Sequence, residues 1–158
     1  MKTNHTKENS AQNWKDTNRR LKNVRFLIKK ESTRELGYEL LSQIEKGCLT
    51  PKQKVESLYI NARYHICCFK EDSDITHLEW ANDFLDDMVA FAYDKKVHIV
   101  DLKFIFSRAH VKFQLAQLIW DNERKPWLLD KAKHITETNL RFNPENESFL
   151  WLKNQLSV

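Results

Sequence analysis

The chain has 158 residues, 41% of them hydrophobic and 11% aromatic, enough for one packed core and too apolar for a disordered segment. Its 2 glycines and 3 prolines leave little from which to build tight hairpins, which sets a β-sandwich or barrel aside. The net charge of +4 is uneven: nine Lys or Arg stand against three Asp or Glu up to Glu31, and seventeen against nineteen beyond it. The opening MKTNHTKENS has no apolar stretch of signal type, and no later run approaches the roughly 18 apolar residues of a membrane span, so a cytoplasmic protein is expected. Three cysteines, Cys48, Cys67 and Cys68, are an odd count and point to reduced thiols.

Along the chain, residues 1–10 read as a disordered tail and residues 11–158 as a single all-α domain. A first helix is expected after Ser10, an N-cap, and runs to Lys30 with Trp14, Leu21, Val24, Leu27 and Ile28 at helical spacings. Ser32 and Glu35 have the spacing of a capping box for a second helix, with Leu36, Leu40, Leu41 and Ile44 as its stripe and Gly47 at C′. Thr50, Pro51 and Gln53 open a third helix that extends to Phe69. The fourth starts at Asp74 or Thr76 and ends near Tyr93. It buries Leu78, Ala81, Leu85, Met88, Val89 and Ala92 and turns Glu79, Asp83, Asp86 and Asp87 outward.

Residues 97–106 alternate like a strand. The recurrence of Ile99, Leu102, Phe106, Ala109, Phe113, Ala116 and Trp120 at steps of three or four, over more than a typical strand length, favours a fifth helix. A sixth opens at Pro126, with Leu128, Leu129, Ala132, Ile135 and Leu140 as its stripe. Asn143 and Pro144 start a short seventh.

Residues 132–146, AKHITETNLRFNPEN, resemble the second helix and exit turn of a tetratricopeptide repeat: a small residue at a helix crossing, Leu140 and Phe142 near the end, and Asn143-Pro144 in the turn. Related triplets of a small residue followed by larger ones occur at Gly37, Leu41, Ile44 and at Ala81, Leu85, Met88, whereas Thr136 and Asn139 take the large positions after Ala132. The resemblance implies an array of three antiparallel helical hairpins, residues 11–48, 52–94 and 98–142, forming a tetratricopeptide-like superhelix with residues 144–156 as a capping helix. An irregular helical bundle is the alternative.

The residues give no catalytic or cofactor constellation. His65, Cys67, Cys68 and His77 lack the paired spacing of a tetrahedral metal site, and the acidic face of the fourth helix has no Glu-x-x-His companion, so a solvated surface is expected there. No glycine-rich phosphate loop or nucleophile elbow occurs, so an enzyme is not expected. Lys15, Arg19, Lys22, Arg25 and Lys29 recur every three or four residues as a basic stripe. It is a candidate surface for nucleic acid or another polyanion, an anionic membrane or an acidic protein surface, or a solvated face able to pair with the acidic fourth helix.

The tetratricopeptide resemblance implies protein binding on the concave surface of the first helix of each hairpin. With Ala62 and Ala116 at the small positions, its inward residues are Tyr59, Arg63 and Ile66 on one helix and His110, Phe113, Gln117 and Trp120 on another. Phe113 and Trp120 also belong to an apolar stripe and are expected in the core. The functional expectation is a non-enzymatic interaction module, an adaptor, chaperone or regulator, binding another protein in a groove of hairpins. Its rivals are an immunity-type or inhibitor protein and a nucleic-acid-associated protein.

Overall fold

The computed structural model describes the backbone of residues 4–157 and the side chains of residues 15–157. Its elements are α1 (Asn4–Ile28), a short 3₁₀ turn (Glu31–Thr33), α2 (Arg34–Glu45), α3 (Pro51–Asp72), α4 (Ile75–Asp94), α5 (Leu102–Leu118), α6 (Arg124–Phe142) and α7 (Glu147–Leu156), with no strand among the described residues. No helix among them is long and apolar enough to cross a membrane. Helix α1 starts at Asn4 rather than after Ser10, so residues 4–10, assigned to a tail from the sequence, are helical. The side chains of Ser10 and Trp14 lie outside the described residues.

The other helix starts show which polar groups the chain uses. At α3 the expected capping box forms: Thr50 Oγ1 accepts from Gln53 N at 3.3 Å, Gln53 Oε1 accepts from Thr50 N at 2.9 Å, and Pro51 takes the first turn. At α2 the Ser32–Glu35 box does not form. Thr33 Oγ1 donates to the carbonyl of Leu27 at 2.8 Å and Arg34 Nε to that of Ile28 at 3.0 Å, so the open end of α1 recruits both side chains and α2 begins only at Arg34. Gly47 follows α2 in its expected place, bonded to the carbonyl of Ile44 at 3.0 Å, but without a left-handed φ.

Four later helix starts use local Asx caps, the first where it was expected and the other three displaced from the expected place. Asp74 caps α4. Asp101 caps α5, so the stretch before Leu102 is irregular. Asp121 accepts from the backbone of Glu123 and Arg124, both at 2.9 Å, which starts α6 ahead of Pro126. Asn146, not Asn143, caps α7; Asn143 closes α6 instead.

Helices pack in consecutive pairs: α1 with α2, α3 with α4, α5 with α6, and α7 on α5 and α6. Neighbouring pairs join through α1 and α2 on α3 and through α4 on α5, giving an array of hairpins with a capping helix. The buried residues follow that division. One cluster centres on Leu21, Ile28 and Leu41, a larger one on Leu78, Leu85, Met88 and Leu115, and a third on Ala109, Ile135 and Leu152.

Small residues sit where helices cross. A Cβ on Gly37 would stand 3.0 Å from Leu27 Cβ and 3.2 Å from the Ile28 backbone nitrogen, so only glycine lets α2 meet α1 this closely. Ala81 and Ala132 are fully buried in the next two hairpins. Thr136, buried at a position expected to be large and apolar, turns its hydroxyl onto the Ala132 carbonyl at 2.8 Å, which makes its burial tolerable.

The acidic side of α4 departs from the expected solvated face. Asp83 and Asp87 are exposed, but Glu79 takes both guanidinium nitrogens of Arg124, and Asp86 binds Arg108 Nε at 2.7 Å and Lys112 Nζ at 2.7 Å. Lys112 is only 1% exposed, and Asn82 Oδ1 accepts from it at 2.8 Å. These carboxylates therefore pair with α5 and α6 and not with the basic stripe of α1.

Candidate functional site

Helices α3 and α5 have no extended packing against each other, although each packs into its own hairpin. The two touch where Tyr59 stacks on Phe104, ring centroids 3.8 Å apart, and beyond that contact a cleft of about 340 Å³ opens between α1, α3 and α5. Its size falls at the lower end of ligand pockets, which run from about 300 to 1,000 Å³.

The helical repeat explains how the walls are supplied. On α3, Tyr59, Arg63, Ile66 and Lys70 succeed one another at steps of four, three and four; on α5, Lys103, Phe106, His110 and Gln114 do the same at three, four and four. Arg25 and Lys29 close the third side from α1. Tyr59 and Ile66 are buried and form floor, while Lys29, Lys70 and Lys103 are exposed at the mouth and Arg63 is half-buried between them.

Electrostatically the lining is one-signed. Arg25, Lys29, Arg63, Lys70 and Lys103 line the cleft, and no carboxylate among the described residues does. Among the described residues, the ion pairs made by this lining are both on Arg25, to Glu56 at 3.4 Å and to Asp101 at 3.8 Å. The same guanidinium lies 5.7 Å from the ring centres of Tyr59 and Phe104, which holds it against the floor.

His110 sits between Phe106, stacked at 5.5 Å, and the edge of Trp151 from α7 at 5.6 Å. Burial, and then the neighbouring cations Lys70 and Arg63, hold its imidazole below the ordinary histidine range, so it is neutral at pH 7.

Of the residues expected on the concave surface, Tyr59, Arg63, Ile66 and His110 converge on this cleft. Phe113 does not; it packs with Ala109, Ile135 and Leu152 on the side of α6 and α7. Gln117 is exposed outside the cleft. Trp120, expected in the core, lies beyond the end of α5 and is 96% exposed, because the helix stops at Leu118 before its stripe can carry the indole inward. The basic stripe divides as well. Arg25 and Lys29 join the cleft, whereas Lys15, Arg19 and Lys22 point to solvent elsewhere, Arg19 on Asp16 at 2.7 Å.

Lys70, Lys103, Phe106 and Gln114 complete the lining without having been assigned to it from the sequence. For Lys70 a signal existed, since one further helical step along Tyr59, Arg63 and Ile66 reaches it.

The second group of titratable side chains lies between α3 and α4. His65 and His77 approach through their Nδ1 atoms at 3.1 Å, and His77 Nε2 meets Asp72 at 3.2 Å. Phe84 stacks on His65 and Trp80 meets it edge-on. Burial, with a smaller contribution from His77, pushes the His65 pKa down to about 4. Cys67 and Cys68 are buried free thiols, Cys48 is an exposed one, and no three His, Cys, Asp or Glu side chains among the described residues are grouped to hold a metal ion.

Comparison with family models, with curated proteins and with solved structures gives no match for this chain, so what the cleft takes has to be argued from its own chemistry.

Proposed function

We propose that this chain is a non-enzymatic interaction module that takes an acidic segment of a partner protein in the cleft between α1, α3 and α5. One observation carries the reading: five cationic side chains from three sides line one cleft, and among the described residues four of them, Lys29, Arg63, Lys70 and Lys103, have no ion-pair partner. Helical arrays of this kind present the first helices of successive hairpins to a ligand, and the tetratricopeptide resemblance points to the same face. A one-signed lining in a recess concentrates field and draws oppositely charged segments, raising the rate of encounter with the right partner. Tyr59 and Phe104 provide a rigid apolar floor under Arg25, the kind of aromatic and arginine grouping that anchors interfaces.

An adaptor and an inhibitor of an acidic enzyme would use the same cleft; partner identity decides between them. A nucleic-acid role through the α1 stripe has less support, because the stripe is split between the cleft and open solvent.

Site-specific photocrosslinking tests the proposal. A crosslinking side chain at position 114, inside the cleft, should yield a discrete adduct in the native host, and one at position 87 on the outer face of α4 should not. Adding Arg63→Ala and Lys70→Ala should erase the position-114 adduct. Equal adducts from both positions, or one insensitive to those substitutions, would refute binding in the cleft.

A further inference from the structure

Resting on the reading of the cleft as a partner-binding site, we propose that its ligand group is a phosphoryl group on the partner segment, held by Arg63, Lys70 and Lys29 at the mouth with His110 below. The mouth of the cleft gathers cations that the fold leaves without ion-pair partners among the described residues. Arg63, Lys29, Lys70 and Lys103 make no ion pair among the described residues, and all four border one opening. A carboxylate brings one charge and two oxygens, whereas a phosphoryl group brings up to two charges and three strong acceptor oxygens. It can therefore engage a guanidinium fork and two ammonium groups together.

Arg63 and Lys70 are two helical turns apart on α3, about 10 Å along the axis, so their long side chains can bend toward a common point from either side. Lys29 reaches the same mouth from α1 and Lys103 from α5, which closes the ring of charge on three sides. Among the described residues the fold makes no use of these four side chains as ion-pair partners.

His110 adds a third feature. Facing it are Arg63 and Lys70 from α3, Phe106 on its own helix and Trp151 from α7, with Lys103 on the same wall. With the cleft empty, burial, and then these cations, keep the imidazole neutral. A bound dianion would reverse the local potential, so His110 would take up a proton on binding and become a further charged donor beside Arg63, Lys70 and Lys29. Affinity should therefore rise as pH falls from 8 toward 6.5, then decline below about 6 as the phosphoryl group itself gains a proton.

Fluorescence anisotropy on the full chain tests this with four probes: a short peptide carrying one phosphoserine, its unphosphorylated twin, inorganic pyrophosphate as competitor, and an RNA oligonucleotide of similar length. The phosphopeptide should bind about tenfold or more tighter than the twin, a gain expected of several charge-assisted hydrogen bonds, and pyrophosphate should displace it. Arg63→Gln should remove the preference. Because Arg63 is half-buried, Lys29→Gln with Lys70→Gln, both at exposed positions, provides a variant whose folding is not at stake and should remove it too.

Equal affinity for the two peptides, both still dependent on Arg63, would overturn the phosphoryl assignment and leave the acidic-segment reading standing. Failure of both peptides to bind would overturn the two together. Tighter binding of the RNA than of the phosphopeptide, lost in the Lys29 and Lys70 variant, would replace the proposal with a nucleic-acid site. If pyrophosphate alone binds through Arg63 and the phosphopeptide does not, the source of the group is a free phosphorylated molecule, and the assignment to a partner segment falls.

Discussion

Two clusters of positive charge lie on opposite sides of α5 and are handled in opposite ways. Along the seam with α4, Lys112 is removed from water and finds Asp86 and Asn82 within 2.8 Å, and Arg108 shares the same carboxylate. At the cleft, Lys29, Arg63, Lys70 and Lys103 keep contact with water and have no carboxylate partner among the described residues. A desolvated ammonium costs several kcal/mol unless paired, so Lys112 must find its carboxylate for the chain to fold. No such constraint acts on the cleft, and its charge surplus is free to serve binding. The contrast separates charge the structure requires from charge it merely permits.

The largest effects should come from what the cleft borrows from the core. Tyr59 is 5% exposed and stacked on Phe104, so Tyr59→Ala should cost about 3–5 kcal/mol in chemical denaturation, the range for deleting a buried aromatic. Tyr59→Phe, which keeps the ring, should cost under about 1.5 kcal/mol. Similar losses from the two would show that the floor is not packed as described.

On the matched side, Asp86→Ala leaves Lys112 buried with only Asn82 and should destabilise by about 3 kcal/mol, the low end for breaking a buried pair because the carboxylate is itself partly exposed. The hydrogen bonds and charges of Lys112 and Arg108 outweigh burial and hold the Asp86 pKa below the usual carboxylate value. Its stabilisation is therefore present above about pH 4 and lost as pH falls through the lower folded value. Asp86→Asn should lack that acid-side loss. Asp86→Ala with unchanged stability would mean that the seam is no more demanding than the cleft.

These two effects separate what the sequence could reveal from what it could not. Helix type and number were legible because each stripe has a 3.6-residue period, and the α3 cap because Thr50, Pro51 and Gln53 are local signals. Helix starts that depend on contacts made after the chain has folded were not. Thr33 and Arg34 are recruited by the end of α1, which no pattern within α2 encodes. The same applies to Lys112, a cation on a helix whose acceptors lie 26 and 30 residues away. At the cleft, α3 was readable because Tyr59, Arg63 and Ile66 share a face. On α5 His110 alone of the expected residues lines the cleft. The face presented there, Lys103, Phe106, His110 and Gln114, is set by how the helix rolls against α6 and α7, which draw Phe113 to themselves.

A third titratable site, buried like the seam but without a carboxylate partner among the described residues, lies between the two cases. His65 has His77 as neighbour and no carboxylate of its own, and its pKa of about 4 lies below that of an unfolded histidine. The folded state thus favours the neutral ring. That contribution is full above about pH 6.5 and declines as pH falls toward 4, by at most about 1.4 kcal/mol per pH unit for one proton. Denaturation midpoints across that interval should slope accordingly, and His65→Phe should flatten the slope. A slope that persists in the variant would assign it to other groups.

The smallest effect expected is also the one that tells the cleft apart from the rest of α1. Lys15→Gln, Arg19→Gln and Lys22→Gln alter exposed residues and should change stability by no more than about 0.5 kcal/mol. Their effect on anion binding depends on distance. Along a helix that rises 1.5 Å per residue, Lys15 lies about 21 Å from Lys29 and Lys22 about 10 Å. The screening length is about 8 Å at physiological salt and about 30 Å at 0.01 M. At physiological salt the distal charges are largely invisible to a group held at Lys29 and Arg63, so the triple variant should bind a phosphopeptide or pyrophosphate within about twofold of the parent. In dilute buffer, where the field of the whole stripe reaches the cleft, it should associate more slowly. Lys29→Gln with Lys70→Gln should instead lose affinity at both salt concentrations, because the proposed site places these side chains against the ligand. A triple variant that loses binding at physiological salt as fully as the cleft variant would place the anion site on the open face of α1 and end the distinction between the two regions.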